Sequence, residues 1–398
     1  MLFRIYYLLL LSLYIPCVAA DSLTAFNHKF SKHVAKQLEK YSIPGGAYVI
    51  VKNNKVVSLE TFGHTDKTKS KEINSNTVFR LASVSKTFAS TITTMLAQEN
   101  VLNLSAPITQ YVPRFTLAKK GAAEKIQLKH ILSHSSGLMP NAYDNLLHEN
   151  WSMSKIINRF DRINPICLPE QCYGYQNITF GLLQPAIEAS QPHSYAALLA
   201  QRLFSPLKMN DSSVGFTAFQ QHQNTAKPHV LRKTILTKQK DNRGKRLKQY
   251  IWRKVPVAPD FYKVAPSAGV NSSISDLAQW LIANLGHSPE VLSPALLTEV
   301  TTPRIKTKKD LRRKYWREHL TDAHYGYGWR IYQLQKQTII YHSGWVEGFR
   351  ADIGYSPELG LGFAMLINAE ANVINQVSSE FWAKAHELLP PKSQTTAP

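Results

Sequence analysis

Acidic side chains and cysteines are the scarce components of this 398-residue chain, and their scarcity limits what it can be. Asp and Glu number 27 against 47 Lys and Arg, a formal charge of +20. The three cysteines, Cys17, Cys167 and Cys172, are too few for a disulfide-rich scaffold, and nothing near them supplies further zinc ligands. A long apolar run is also missing. The stretch from Ile5 to Ile15 falls short of the ~20 residues that span a bilayer. Internal repeats and low-complexity linkers are absent, which excludes repeat architectures. What remains, 44% hydrophobic and 10% aromatic, is the composition of a globular protein with a sizeable core.

Residues 1–20 combine Arg4, the short apolar run and the small residues Ala19-Ala20, the pattern of a signal peptide cleaved after Ala20. The expectation is a secreted or periplasmic protein, folded over 21–389, with a frayed tail at 390–398. Attachment as a lipoprotein through Cys17 is disfavoured, because Ile15-Pro16 lack the small residues of that signal. Cleavage leaves Cys167 and Cys172 as a lone pair, most simply a disulfide closing a tight loop before Tyr175. Positive charge is concentrated in two segments. Lys227 to Lys254 holds eleven basic residues against Asp241 alone, and Arg304 to Glu318 holds eight against two acids. In an exported protein such patches meet anionic membrane or cell-wall surfaces, or serve only as solvated surface. No nucleic-acid recognition motif accompanies them.

Apolar spacing predicts a helix over Ser22–Lys40 (Phe26, Phe30, Val34, Leu38), then strands at Ala47–Lys52 and Val56–Phe62 turning at Asn53-Asn54. Ser83–Asn100 reads as a helix. The middle of the chain reads as helical segments joined by polar loops, with a basic insertion at 227–254. Strand signals return at Tyr327–Leu334, Thr338–His342, Arg350–Tyr355 and Leu361–Asn368, followed by a closing helix, Ala369–Leu389. Strands at both ends around a helical centre predict an α+β fold. Its antiparallel sheet is built from both chain ends (about 22–80 and 320–389), flanked by helices, with a helical lobe inserted at about 100–300.

Three short motifs carry chemistry together. Ser83-Val84-Ser85-Lys86 opens the strongest helix, where the dipole favours a developing oxyanion and Lys86 lies one turn from the Ser83 hydroxyl. Burial at such a place lowers a lysine pKa and makes the amine a proton acceptor. Tyr175-Gln176-Asn177 offers a second proton carrier and an amide to orient it. His342-Ser343-Gly344 reads as a strand edge for substrate. Each has imitators: Ser152-Met153-Ser154-Lys155, Ser205-Pro206-Leu207-Lys208 and Tyr143-Asp144-Asn145. By itself Tyr175 reads as an aromatic packing residue, and His342 as a structural histidine. Order and context favour the first set.

With Ile131–Leu138, Pro206–Met209, Pro266–Val270, Gly326–Trp329 and Gly344–Phe349, these motifs resemble the serine β-lactamase and penicillin-binding protein superfamily. The nearer likeness is its class C β-lactamase and DD-peptidase branch. The resemblance covers roughly Phe26 to Glu380. It implies Ser83 as the acylated nucleophile, Lys86 as its activator and Tyr175 as second acid/base. Asn177, His342, Ser343, Gly344 and Trp345 are implied at the substrate, with the N–H groups of Ser83 and Trp345 as oxyanion hole. No metal or other cofactor is implied. His342 stands where a β-lactamase lysine is expected, and Glu347 adds a carboxylate nearby; both weaken the case for β-lactams. The expected substrate is a β-lactam or a D-alanyl cell-wall peptide amide. An esterase, a D-amino-acid peptidase or an inactive wall- or membrane-associated binding protein on the same scaffold are the alternatives.

Overall fold

Alternation of apolar side chains brings the two ends of the chain into one sheet. In the computed structural model, residues 15–334 and 337–388 are described, with side-chain surroundings over 24–385. The expected signal segment, apart from the backbone of 15–20, and the expected tail lie outside the described residues. Strand β1 (Gly45–Lys52) sends Ala47, Val49 and Val51 to one face and Tyr48 and Ile50 to the other, all buried. Asn53, in the left-handed region an asparagine tolerates, turns it into β2 (Lys55–Gly63). Next come β3 (Phe79–Arg80), β4 (Ser213–Val214), the paired β5 (His229–Lys240) and β6 (Arg246–Lys254), and β7 (Val270–Ser272). The C-terminal part adds β8 (Ile305–Lys306), β9 (Asp322–Tyr325), β10 (Arg330–Leu334), β11 (Gln337–Val346), β12 (Phe349–Ser356) and β13 (Leu361–Ile367).

Among the described residues these form an antiparallel eight-stranded sheet ordered β2-β1-β13-β12-β11-β10-β9-β8. A small β3-β7-β4 sheet and the isolated β5-β6 ribbon complete them. Helix α1 (Ile15–Lys40) and the closing helix Val373–Leu388 cover one face. There Phe30 packs on Tyr48, Phe363 and Phe381. On the other face the helix Ile274–Ile282 lies on β1 and β13. Behind it packs α2 (Ser85–Gln98), with Phe88 stacked on Trp280 at 4.2 Å.

The α+β architecture with its sheet built from both chain ends is the fold the chain adopts. Three local details differ from the sequence reading. Ser83 stands in a 3-10 turn, Ala82–Val84, just ahead of α2 rather than inside its first turn. β11 continues to Val346, so His342-Ser343-Gly344 lies within the strand. The basic insertion is a long hairpin whose tip is held by Asp241, which accepts from the N–H groups of Arg243 and Lys245.

Candidate active site

The nucleophile candidate is presented by a turn that the surrounding strands hold in place. Leu81 N–H donates to Val270 C=O at 3.0 Å, and Val270 N–H donates to Ser85 Oγ at 2.9 Å, tying the turn to β7 on both sides. Between them Ala82 adopts φ +50, a conformation costing an L-residue on the order of 1–3 kcal/mol. β11 lies against this turn because residue 344 is glycine. A Cβ there would sit 2.2 Å from Leu81 C=O and 3.1 Å from Ser83 N. Among the described residues β10 pairs with β11 as far as Arg330 opposite Tyr341, and residues 342–346 ladder with β12 alone. The other edge of that segment is free beside Ser83.

Lys86 is fully buried on α2, and among the described residues its amine has three polar partners. Its Nζ lies 3.4 Å from Ser83 Oγ, 2.8 Å from Asn177 Oδ1 and 3.1 Å from Ser267 C=O. The rings of Tyr175 and Phe180 close over it at 4.7 and 5.3 Å. Burial pushes its pKa well below the usual lysine value; Asp144 opposes this and Arg330 adds to it. Asn177 is fixed from its other end: its Nδ2 donates to Asp144 Oδ2 at 2.7 Å, and its C=O accepts from Ser267 Oγ. Asp144, itself largely buried, has its pKa raised by desolvation.

Tyr175 is held by the loop that precedes it. A Cys167–Cys172 disulfide (Cα separation 6.3 Å) closes that loop, which hangs on the 134–139 segment through Ile166 N–H to Gly137 C=O and Gly174 N–H to His134 C=O. Gly137 (φ +80) permits the approach, since a Cβ would meet Cys167 C=O at 2.3 Å. The His134 ring lies 4.2 Å from that of Tyr175 and accepts Gln176 N–H at Nδ1. Burial lifts the Tyr175 pKa to about 12, with Arg330 and a hydrogen bond from Ser83 pulling the other way. The phenol therefore keeps its proton near neutral pH.

His342 is placed otherwise than the sequence reading has it. Its ring is fully buried on the sheet face beneath Tyr175, 6.5 Å between centres, and does not line the cavity. Nδ1 donates to Ser343 C=O at 3.0 Å, so Nε2 accepts from Tyr325 Oη at 2.9 Å. Burial, with Arg330 and Lys86 nearby, keeps it neutral, its pKa well below the usual imidazole value. The strand alternation turns Ser343 to the opposite side, where Arg313 Nη2 donates to its Oγ at 3.4 Å. Trp345 is 59% exposed and stacks under Arg350 at 4.5 Å.

These residues surround a cavity of about 1030 Å³, lined by Ser83, Tyr175, Asn177, Ser343, Gly344 and Trp345 among others. Arg313, Arg330 and Arg350 stand on its wall, as do Asp144, Asp260, Glu347 and Glu370. A second cavity of about 600 Å³ shares Tyr175, Ser343, Arg313 and Arg330 and runs toward Lys306, Lys308 and Lys309. Arg330 is largely but not fully buried and paired with Asp310, while Arg313 also donates to Tyr332 Oη and Asn375 Oδ1. Among the described residues no cluster of His, Cys, Asp and Glu fit to hold a metal is present.

Sequence reasoning missed Asp144, Ser267, Arg313 and Arg330. Asp144 lay inside a segment set aside as an imitator, Tyr143-Asp144-Asn145. Tyr143 does turn away, onto Phe160, but the carboxylate beside it reaches Asn177. The other imitators have structural occupations. Ser152 caps the helix Met153–Asn158, and Ser205 sits exposed in a turn.

The chain as a whole is similar to known proteins. The family model described as Beta-lactamase matches residues 30–386. A curated relative, "Protein flp" of Staphylococcus aureus (strain MRSA252), is 25% identical over 354 residues, 86% of this chain. The "Unguisins hydrolase ungD" of Aspergillus violaceofuscus is 21% identical over 369 residues. This chain spans 62% of the length of each. The octameric penicillin-binding protein homologue from Pyrococcus abyssi has the same fold, with a TM-score of 0.74 at 23% identity, over 91% of this chain and 79% of that one. With a turn-borne serine, a buried lysine and a free strand edge on that fold, and with the family match spanning nearly all of it, the chain belongs to the β-lactamase family.

Proposed function

We propose that this protein is an exported serine hydrolase that works through an acyl-enzyme on Ser83. The observation that carries the reading is the Lys86 amine, desolvated, with a depressed pKa, and 3.4 Å from Ser83 Oγ. In the first step Ser83 Oγ attacks the substrate carbonyl carbon and its proton passes to neutral Lys86. Tyr175, protonated near neutral pH, donates a proton to the leaving nitrogen or oxygen as the C–N or C–O bond breaks. It recovers a proton from the Lys86 side. Asn177, clamped between Lys86 and Asp144, keeps the amine aimed at the hydroxyl. The N–H groups of Ser83 and Trp345 would hold the oxyanion.

The substrate reading is a β-lactam or a D-alanyl peptide amide, both of which carry a carboxylate near the scissile bond. Neutral, buried His342 offers such a carboxylate no charge, so that role falls to Arg313 beside Ser343. An ester or D-amino-acid amide substrate is the second reading, favoured by the carboxylates that share the cavity wall with the arginines. Incubation with a penicillin and, separately, with a small activated ester, followed by mass spectrometry, tests the proposal. An adduct on Ser83 that is lost in Ser83→Ala is expected. An adduct at Ser152 or Ser205, or none with any acyl donor, refutes it.

A further inference from the structure

The two basic segments, separated in sequence by the residues 255–303, meet in the fold. Tyr41, just after α1, is the joint: its ring stacks on Tyr250 of β6 at 5.0 Å, and Tyr315 of the second segment is near enough to add to the rise that burial gives its pKa. Trp252 Nε1 donates to Tyr41 C=O at 2.9 Å, and Trp252 and Trp316 belong to one apolar cluster. Lys40 and Lys314 lie over the Tyr41 and Tyr315 rings. The β5-β6 ribbon thus leaves the body from an aromatic root surrounded by cations.

Beyond that root, from 231 to 249, nearly every residue of the ribbon is exposed and, among the described residues, no other element covers either face. Trp252 and Tyr250 point toward the body, and alternation places Gln249 and Leu247 with Ile235 on the outward face. Leu236, opposite Lys248, lies on the inner face but past the body's edge. Exposure of Ile235 (38%), Leu236 (52%) and Leu247 (42%) on both faces follows. A two-stranded ribbon wet on both sides is marginal in water. Aliphatic side chains among this many Lys and Arg fit an environment that is anionic outside and apolar just beneath.

We propose that the β5-β6 hairpin, with the 304–318 segment beside it, docks this protein on an anionic phospholipid surface. The charges meet the headgroups and Ile235, Leu236 and Leu247 enter the acyl boundary. A wall polymer or a nucleic acid would satisfy the charges but leave the aliphatic residues in water; the distal ribbon also carries no aromatic ring for stacking bases.

Co-sedimentation of the full chain with vesicles of phosphatidylcholine alone, or mixed with phosphatidylglycerol, tests this. Binding only to the mixed vesicles is expected. It should be lost as salt rises from about 0.01 to about 1 M and the Debye length falls from about 30 to about 3 Å. Lys238→Gln, Lys240→Gln, Lys245→Gln and Lys248→Gln together should weaken it by at least about 100-fold. Leu236→Ser with Leu247→Ser should weaken it by about 10-fold or more. Circular dichroism and the melting temperature report that each variant is folded. Failure of the parent chain to bind mixed vesicles overturns the proposal. So does undiminished binding by the leucine variant, or equal binding to a soluble polyanion such as polyphosphate.

Discussion

Replacing Asp144 with asparagine takes one negative charge away from Lys86 while leaving an amide oxygen to accept from Asn177 Nδ2. The carboxylate and the amine are joined through the Asn177 amide by bonds of 2.7 and 2.8 Å. At about 6 Å and an effective dielectric of about 20, opposite charges attract by about 3 kcal/mol, equivalent to roughly two pH units. Water in the cavity screens part of this, so a displacement of about one to two pH units is expected. The sign follows from what the carboxylate favours. It stabilises the ammonium, so its removal drives the already depressed Lys86 pKa lower still. The rising limb of Ser83 acylation against pH, followed with a small activated ester in the pre-steady state, should move to lower pH. Asp144→Ala, which also unclamps Asn177, should lower the plateau as well. A limb that stays put or moves upward in Asp144→Asn, or an Asn variant that behaves like the Ala variant, refutes the electrostatic link.

Three further outcomes follow from the geometry. Gly344→Ala puts a methyl 2.2 Å from Leu81 C=O, which is backbone and cannot swing aside. The strand must withdraw from Ser83, and an acylation rate within tenfold of the parent would contradict that. Cys167→Ser with Cys172→Ser opens a short loop worth about 2 kcal/mol in the chain-entropy model. A lower urea midpoint and weaker acylation are expected, because the same loop holds Tyr175. Asp352, buried and accepting from Tyr341 Oη and Ser378 Oγ, has its pKa raised from 3.8 to about 6. Its folded form keeps the proton longer than the unfolded chain, so its contribution is fullest below pH 3.8 and is lost as pH rises through about 6. Asp352→Asn should therefore stabilise the protein at pH 8 by up to about 3 kcal/mol, and much less at pH 4. Destabilisation at pH 8 would mean that Arg313 and Arg350 hold the carboxylate more strongly than burial opposes it.

The parts of the fold that were legible are those in which neighbouring residues suffice. The spacing of Phe26, Phe30, Val34 and Leu38 marks a helix because all four land on one face, and all four are buried. β1 and β13 declare themselves by alternation or by an unbroken apolar run, as strands buried on both faces do. The hairpin was not legible, since its alternation is hidden beneath lysines that no core required to be elsewhere.

The amino-acid order alone determined that a serine and a lysine would stand one turn apart at the head of a buried helix, because helical geometry is local. Tertiary structure alone decided the lysine's charge. Its amine meets Asn177, 91 residues away, and Ser267 C=O, 181 residues away, with water shut out by rings from other segments. The same holds for Asp144, Arg313 and Arg330, and for the burial of His342. Desolvation and charge partners are properties of a place in space, and residues far apart in the chain make that place.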